Sequence, residues 1–450
     1  FTVVGVSCTS IINYLIEHMN QTQKCSRLMS LGISKLESTQ IIRLLDRWST
    51  HNGQEWTVAR MKEVKLMYLH KLAGTKYNPT IWISKGPDGV PKGPLKALFK
   101  ISSTKKLSKA LTALSIYTNF VSDVITPTQL EKFFSSMEST DITGMNAEPH
   151  VVFTSLVNQR SPRLPNTFLE YCVGNTRAPG SDGIHTTPET DTMGVWKHAS
   201  KSMAVRDIVQ AHWSTFEHVV PMLPFLAQFP RNFGNPTLHT LGKISVIQEP
   251  GFKARFVANP DRVLQAGLEP LKDDLEDILR KLETDCTHDQ KSGVVQTQKW
   301  LKEGKEVYCV DLSDATNLFP WHFQKKVLET YLKGEGHSSM ISIMDKCATG
   351  PWFTTLRGKP EVVKFTRGQP LGLGPSFHTF ALSHNVLLAG ICKKLKLKGL
   401  PFRVIGDDVV IADSDLHRIY RNSLKNLGCK VSEKKTFQSK KMAEFGGYTI

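Results

Sequence analysis

Two neighbouring carboxylates, Asp407 and Asp408, follow Gly406 between the apolar runs Phe402-Arg403-Val404-Ile405 and Val409-Val410-Ile411-Ala412. Glycine relieves the backbone of a tight turn and β-branched residues suit its flanks, so the segment predicts a β-hairpin with two acids at its tip. Adjacent carboxylates repel each other unless a divalent cation lies between them and a third acid. Asp311 supplies the third: in Val307-Tyr308-Cys309-Val310-Asp311-Leu312-Ser313-Asp314 it stands where a buried strand meets a polar turn. Three such carboxylates can hold two Mg2+ ions, with Mn2+ as a substitute, about 3.5–4 Å apart, the arrangement of two-metal phosphoryl and nucleotidyl transfer. Taken singly, a Gly-Asp turn is a common hairpin connector and Asp311 equally fits a turn cap, so this chemistry needs support from other residues.

Three further groups suit a nucleotide. Arg367-Gly368-Gln369-Pro370-Leu371-Gly372-Leu373-Gly374-Pro375-Ser376 forms a shaped loop whose glycines let a ligand approach the backbone closely, and Ser376 is a plausible cap for the helix that follows. That helix carries Ser383, His384 and Asn385, polar groups able to hydrogen-bond a ribose or a base. Lys243, Lys253 and Arg255 flank the turn Glu249-Pro250-Gly251-Phe252. Strand alternation puts Lys253 and Arg255 on one face, where two cations suit a triphosphate. Lys435, beside Lys434, could protonate a departing pyrophosphate. Surface solvation explains most lone lysines equally well, and the run Lys393, Lys394, Lys396 and Lys398 reads as a solvated helix end.

The elements that must position these groups belong to an ordinary globular chain. It has 450 residues, 40% hydrophobic and 22% charged, enough for two or three domains with a sizeable core. A net charge of +16 and a pI near 9.4 suit a polyanionic partner. The eight cysteines are scattered, without zinc-site or disulfide-scaffold spacing, and are expected to be buried free thiols in a reducing compartment. No secretory signal is visible and the apolar stretch 1–8 is too short to span a bilayer. A host-cell interior location, cytoplasm or mitochondrion, is expected. A chain that starts at Phe1 is expected to be a fragment.

Apolar spacing predicts helices over 11–19, 39–48, 56–72 and 107–121, an exposed loop over 85–94 and long loops over 161–194. Further on it predicts a helix from about 204 to 218, strands 243–248 and 254–258, and a helix over 264–282. Then come a strand over 306–312, a helix over 321–332 behind Pro320, a helix over 376–395, the hairpin, a helix over 416–427 and a strand over 430–437. That order predicts an α+β fold, an antiparallel sheet with helices on one face.

Together these residues, in this order, resemble the RNA-dependent RNA polymerases of positive-strand RNA viruses, in the group of mitoviruses, narnaviruses and ourmia-like viruses, with RNA-phage replicases more distant. Pro250-Gly251-Phe252-Lys253-Ala254-Arg255-Phe256-Val257-Ala258 resembles the fingers element, and Thr287-His288-Asp289-Gln290 a signature before the first palm strand. Asp311-Leu312-Ser313 with Ala315-Thr316 resembles palm motif A; Gly368-Gln369-Pro370-Leu371-Gly372 with Leu382-Ser383-His384-Asn385 resembles motif B. Gly406-Asp407-Asp408 resembles motif C, Lys435-Thr436-Phe437 motif D and Ala443-Glu444-Phe445 motif E; Glu55-Trp56-Thr57-Val58 is similar to the group's N-terminal part.

The resemblance implies a right hand of fingers and palm: a mainly helical N-terminal part over 1–150, fingers over 151–305 with strands that receive the NTP, and a palm over 306–450. It implies Asp311, Asp407 and Asp408 as metal carboxylates, Lys253 and Arg255 as NTP ligands, and RNA template, nascent RNA and NTPs as partners. Relatives carry an aspartate where this chain has Asn317; asparagine can still bond a ribose 2′-hydroxyl, so ribose selection is expected to be kept but altered. Relatives continue into a thumb beyond the position of Ile450, and a missing segment or a second polypeptide is expected to supply it.

The other classes weighed are a reverse transcriptase, against which the Gly-Gln-Pro-Leu-Gly loop and Gly406 speak, and a non-catalytic basic RNA-binding protein from a decayed or endogenised viral copy. A two-metal nuclease would need clustered acids but none of the nucleotide-binding groups.

Overall fold

The computed structural model describes residues 26, 28–100, 107–122, 124–158, 240–260 and 262–450. The helices expected over 11–19 and 204–218, the loops over 161–194, and Cys8, Cys25 and Cys172 lie outside the described residues. The chain divides into two compact units. One comprises Phe1–Ile125, Ile247–Arg255 and Phe437–Met442; the other comprises Thr126–Val246, Phe256–Thr436 and Ala443–Ile450.

The first unit is helical. Helix α1 (Lys35–Asn52) starts where the Glu37 N–H donates to Ser34 Oγ at 3.2 Å. Helix α2 (Gln54–Ala73) follows after Gly53. Ile41, Ile42 and Leu45 of α1 bury with Met61, Val64 and Tyr68 of α2 and with Leu98, Phe99 and Leu114. The helix predicted over 107–121 stops early: α3 spans Leu107–Leu114, and Ile116–Asn119 is a 3-10 turn. Ser115, Ile116, Thr118 and Asn119 all favour other conformations over helix, which accounts for the stop.

The second unit holds the antiparallel sheet. Its helices are α4 (Pro127–Met137), α5 (Glu269–Arg280), α6 (Gln290–Lys302), α7 (Trp321–Tyr331), α8 (Glu335–Thr349), α9 (Ser376–Lys394) and α10 (Ser414–Asn426). Pro127 opens α4 behind a complete capping box between Thr126 and Gln129. The helix predicted over 264–282 is two helices, Arg262–Gly267 and α5, divided at Leu268 just before Pro270. Proline supplies no N–H for a continuous ladder there.

Strands β1 (Gly242–Glu249), β2 (Lys253–Pro260), β3 (Val307–Ser313), β4 (Pro351–Thr354), β5 (Glu361–Lys364), β6 (Phe402–Ile405), β7 (Asp408–Ile411) and β8 (Lys430–Val431) make two sheets. One has the order β2-β1-β4-β5, with Lys243 of β1 opposite Phe353 of β4 in a parallel pairing. The other runs β6-β7-β3-β8, antiparallel throughout. The strand expected over 430–437 is only the two residues of β8 before a turn. Helices α4, α6 and α8 and the β4–β5 hairpin are additions to the sequence reading.

Alternation along the strands separates the faces of the second sheet. Tyr308, Val310, Leu312, Phe402, Val404, Val409 and Ile411 join the core with Phe380 and Leu388 of α9 and Leu416, Tyr420 and Leu424 of α10. Each such fully buried side chain contributes roughly 1.5–3 kcal/mol, so the sheet is stiff behind whatever its other face presents. On that other face the Arg403 guanidinium lies 5.6 Å from the Trp300 ring of α6. Helices α9 and α10 thus cover one side, as expected, and α6 adds cover on the opposite one.

Candidate active site

Pairing of β3 with β7 sets Asp311 directly opposite Asp408, so both carboxylates rise from one face at one end of the sheet. Pairing of β6 with β7 sets Ile405 opposite Asp408, leaving Gly406 and Asp407 as a two-residue turn. Gly406 has φ 57°, and a Cβ there would lie 2.8 Å from the Phe377 ring. Glycine is therefore required twice, for backbone sign and for space. Asp407 is exposed at the tip. Asp408 Oδ2 accepts the Gly446 N–H at 2.7 Å. Burial, followed by the charges of Asp311 and Asp407, pushes the Asp408 carboxyl up to about 7, against the pull of that N–H.

Lys435 Nζ lies 3.3 and 3.2 Å from the two carboxylate oxygens of Asp311. The trio fits a hard divalent ion: every donor is a carboxylate oxygen, and the repulsion from Asp311 and Asp407 that helps raise Asp408 is what such an ion would relieve.

The loop before α9 is fastened to the turn after β3. The Gln369 N–H donates to the Thr316 carbonyl at 2.9 Å, and a Cβ on Gly368 would fall 2.0 Å from that same oxygen. The groups expected to meet a ribose or base are engaged inside the protein. Asn317, Gln369, Ser376, Ser383, His384 and Asn385 are all buried and bond within the protein. Asn317 Nδ2 donates to Ser136 Oγ at 2.8 Å, so its amide holds α4. Gln369 Nε2 donates to Gln324 Oε1 and to the Ser376 carbonyl, at 2.7 and 2.9 Å. Ser376 Oγ donates to the Pro370 carbonyl, so it ties the loop rather than capping a helix N–H. Ser383 Oγ donates to the Thr379 carbonyl.

His384 and Asn385 instead brace the hairpin and the sheet edge. His384 Nδ1 is 2.7 Å from the Gly406 carbonyl, and Nε2 is 2.5 Å from the Tyr420 hydroxyl. A carbonyl only accepts, so Nδ1 carries the proton and Nε2 accepts from Tyr420. Burial lowers the His384 pKa to about 4, which keeps this neutral form. Asn385 Nδ2 donates to Asp285 Oδ2 at 2.9 Å, and Thr284 Oγ1 donates to Asn385 Oδ1 at 2.7 Å. The 284–286 segment in turn pairs alongside β6, through Asp285 and Val404.

Lys253 and Arg255 both lie in the first unit, where they meet Glu249 at 3.2 and 2.6 Å across their hairpin. Lys243 Nζ sits 6.0 Å from the centroid of the Phe353 ring. Spacing alone did not reveal Glu249 as their partner, although hairpin pairing could have. The roles of Arg367, Asp285, Phe377 and Tyr420 are not signalled by the sequence, beyond the places of Arg367 at the head of the loop and Phe377 just after it. Of the cysteines, Cys286, Cys309, Cys347, Cys392 and Cys429 are buried and free, as expected. Among the described residues no helix is long and apolar enough to cross a membrane.

Comparison with known proteins gives this geometry its family. The RNA-directed RNA polymerase of Cryphonectria parasitica mitovirus 1 (strain American chestnut tree/New Jersey/NB631) is 29% identical over 209 residues, 46% of this chain and 25% of that protein. An uncharacterized mitochondrial protein of Arabidopsis thaliana is 33% identical over 146 residues, 31% of this chain and 72% of that protein. Among solved structures, the BmCPV RNA-dependent RNA polymerase at elongation state superposes with a TM-score of 0.52 at 10% identity, covering 98% of this chain and 43% of that one. The likeness is one of fold, an α+β viral polymerase fold. The matched part of this chain thus spans a quarter of the mitovirus enzyme, and the chain under half of the structural neighbour. Residues 180–449 match the family described as mitovirus RNA-dependent RNA polymerase, and the chain belongs to that family.

Proposed function

We propose that this chain performs template-directed RNA synthesis, adding nucleoside triphosphates to an RNA 3′ end on an RNA template. The observation that carries the reading is the register that sets Asp311 opposite Asp408, with Asp407 at the adjoining turn. Asp311, Asp407 and Asp408 would hold two divalent ions, Mg2+ with Mn2+ as a substitute. Such ions supply Lewis-acid stabilisation of the attacking and leaving oxygens. The stiff sheet behind β3 and β7 keeps the carboxylates aimed, and His384 fixes the turn through the Gly406 carbonyl. Lys435, already beside Asp311, is positioned to give a proton to departing pyrophosphate. Lys243, Lys253 and Arg255 would take the triphosphate, with Glu249 yielding its two partners on binding. Gly368 permits the close approach of its loop to Thr316, while Gln369, Ser376, Ser383, Asn385 and Asn317 support the wall of the site from within.

The net charge of +16 suits template and nascent RNA. In the right-hand scheme 1–150 and 151–305 would serve as N-terminal extension and fingers, and 306–450 as palm. The mitochondrial protein of Arabidopsis among its relatives makes the mitochondrion the compartment to examine first, ahead of the cytoplasm. A non-catalytic RNA binder would share the charge but has no use for the Asp311–Asp408 pairing.

The test is RNA synthesis by the purified chain on a short RNA template with labelled NTPs and Mg2+, beside Asp407→Ala. Template-length product that disappears with Asp407→Ala supports the reading. Equal product from both proteins, or product from dNTPs in preference to rNTPs, sinks it.

A further inference from the structure

Glu276 on α5, His288 in the turn before α6 and His378 in the first turn of α9 each offer a ligand atom, and these atoms all lie within 4.8 Å of one another. The three residues come from separate elements and share no place with the carboxylates of β3 and β7. His288 Nδ1 is 3.8 Å from Glu276 Oε1. The two imidazoles lie nearly parallel, with ring centroids 6.2 Å apart and an interplanar angle of 25°.

Their protonation suits a metal. Hydrogen bonding from Arg280 holds the Glu276 carboxyl below its usual range, so it is an anion. Arg280 bonds Oε1, through both Nε and Nη2. His378 Nδ1 is buried with no hydrogen-bond partner, an expense that a bound cation would remove. The opposing charge of Lys272 is taken up by Glu269 and Asp273.

We propose that Glu276, His288 and His378 form a second metal site, specific for a zinc-class ion and distinct from the carboxylate trio. Two imidazole nitrogens and one carboxylate suit Zn2+, whereas all-oxygen sites suit Mg2+ and Mn2+. A fourth position is left for water. The ion would staple α5, the turn before α6 and the start of α9 together. His378 directly follows Phe377, whose ring lies under Gly406, so the staple would stiffen the support of the acidic turn.

The probe is Co2+ and then Zn2+, added to the untagged, metal-stripped chain in excess Mg2+. Co2+ gives visible d–d absorption only with a defined ligand set, and Zn2+ binding is read by competition and by thermal shift. The site predicts about one equivalent of Co2+ displaced by Zn2+, a rise in Tm with Zn2+, and neither effect with Mg2+. Because His288 is exposed, His288→Ala should fold with the Tm of the metal-free wild type yet bind Zn2+ at least about tenfold more weakly. Glu276→Gln should weaken binding as well. Stoichiometric binding that His288→Ala leaves unchanged, or no binding tighter than that of Mg2+, overturns the proposal. None of these readouts depends on RNA synthesis, so the outcome is independent of the polymerase reading.

Discussion

Arg367 is the most demanding buried group in the second unit, and replacing it gives a prediction with a worked magnitude. Its side chain is fully enclosed, and it donates to the carbonyls of Leu318 at 2.7 Å, Asp141 at 2.5 Å, Thr143 at 2.5 Å, and Leu427. Its one close carboxylate, Asp141, is 3.9 Å away and half in solvent. Arg367→Met keeps most of the apolar stem and removes every donor. Four carbonyls then lose their partner, at about 1 kcal/mol each on the low side because the 141–143 segment can turn to water. Relief from burying the charge offsets part of this, leaving a loss of about 3 kcal/mol. For a unit of this size that corresponds to a fall in Tm of roughly 4–6 °C. Arg367→Lys, with three donors on one nitrogen, should fall between the two. The assay is calorimetry on the full chain at fixed pH and salt. A Tm for Arg367→Met within about 1 °C of wild type would refute the idea that these carbonyls depend on the guanidinium.

Other substitutions and conditions test the site. Gly368→Ala places a methyl against the Thr316 carbonyl and the Asn317 backbone, so the loop must shift; Tm should fall and RNA synthesis should drop by at least about tenfold, and full activity would count against the fastening. Gly406→Ala forces a side chain into positive φ beside Phe377, at a cost of about 1–2 kcal/mol from the backbone alone, visible as a lower Tm. Acid should destabilise the fold through His384, whose folded pKa of about 4 lies below the unfolded value of about 6.5. Protons then favour the unfolded chain, so the contribution is complete above pH 6.5 and is lost as pH falls toward 4, a change of about 3 kcal/mol. His417, also lowered to about 4 by burial, adds in the same sense, while Asp408 acts oppositely below pH 7. A Tm that falls from pH 7 to 5 in the wild type is expected, with the fall abolished in His417→Phe, where Asp408 offsets His384; a rise in the wild type would contradict the burial of these rings. Lys435→Met should tighten Mn2+ binding, measured by electron paramagnetic resonance, while slowing turnover at saturating metal. Weaker binding would speak against competition at Asp311.

The hairpin, the strand that ends near Asp311 and the helix that begins at Ser376 were readable because each follows from local pattern. Short β-branched apolar runs on either side of Gly406 and a glycine-proline loop before a helix leave few alternatives. What escaped depends on partners far away in the chain. Nothing around Asn317 announces Ser136, and nothing around Arg367 announces carbonyls at 141, 143, 318 and 427. His384 and Asn385 look like polar offerings on a helix, yet α9 is enclosed on most sides, so their groups must find partners inside. Glu276, His288 and His378 are ordinary residues individually, and only tertiary packing gathers them.

The lysine beside Asp311 has a consequence for the order of events. Lys435 Nζ lies beside both Asp311 oxygens, so on the polymerase reading an ammonium and a divalent ion would compete there, with the lysine standing as counterion when metal is scarce. While it serves there it is engaged by the carboxylate. On the polymerase reading, an ion taken up there would displace the lysine, and the displaced lysine would be at liberty to turn toward a departing anion. The proposed proton donor would then become available only after the metal charge has arrived, an order of events set by one side chain.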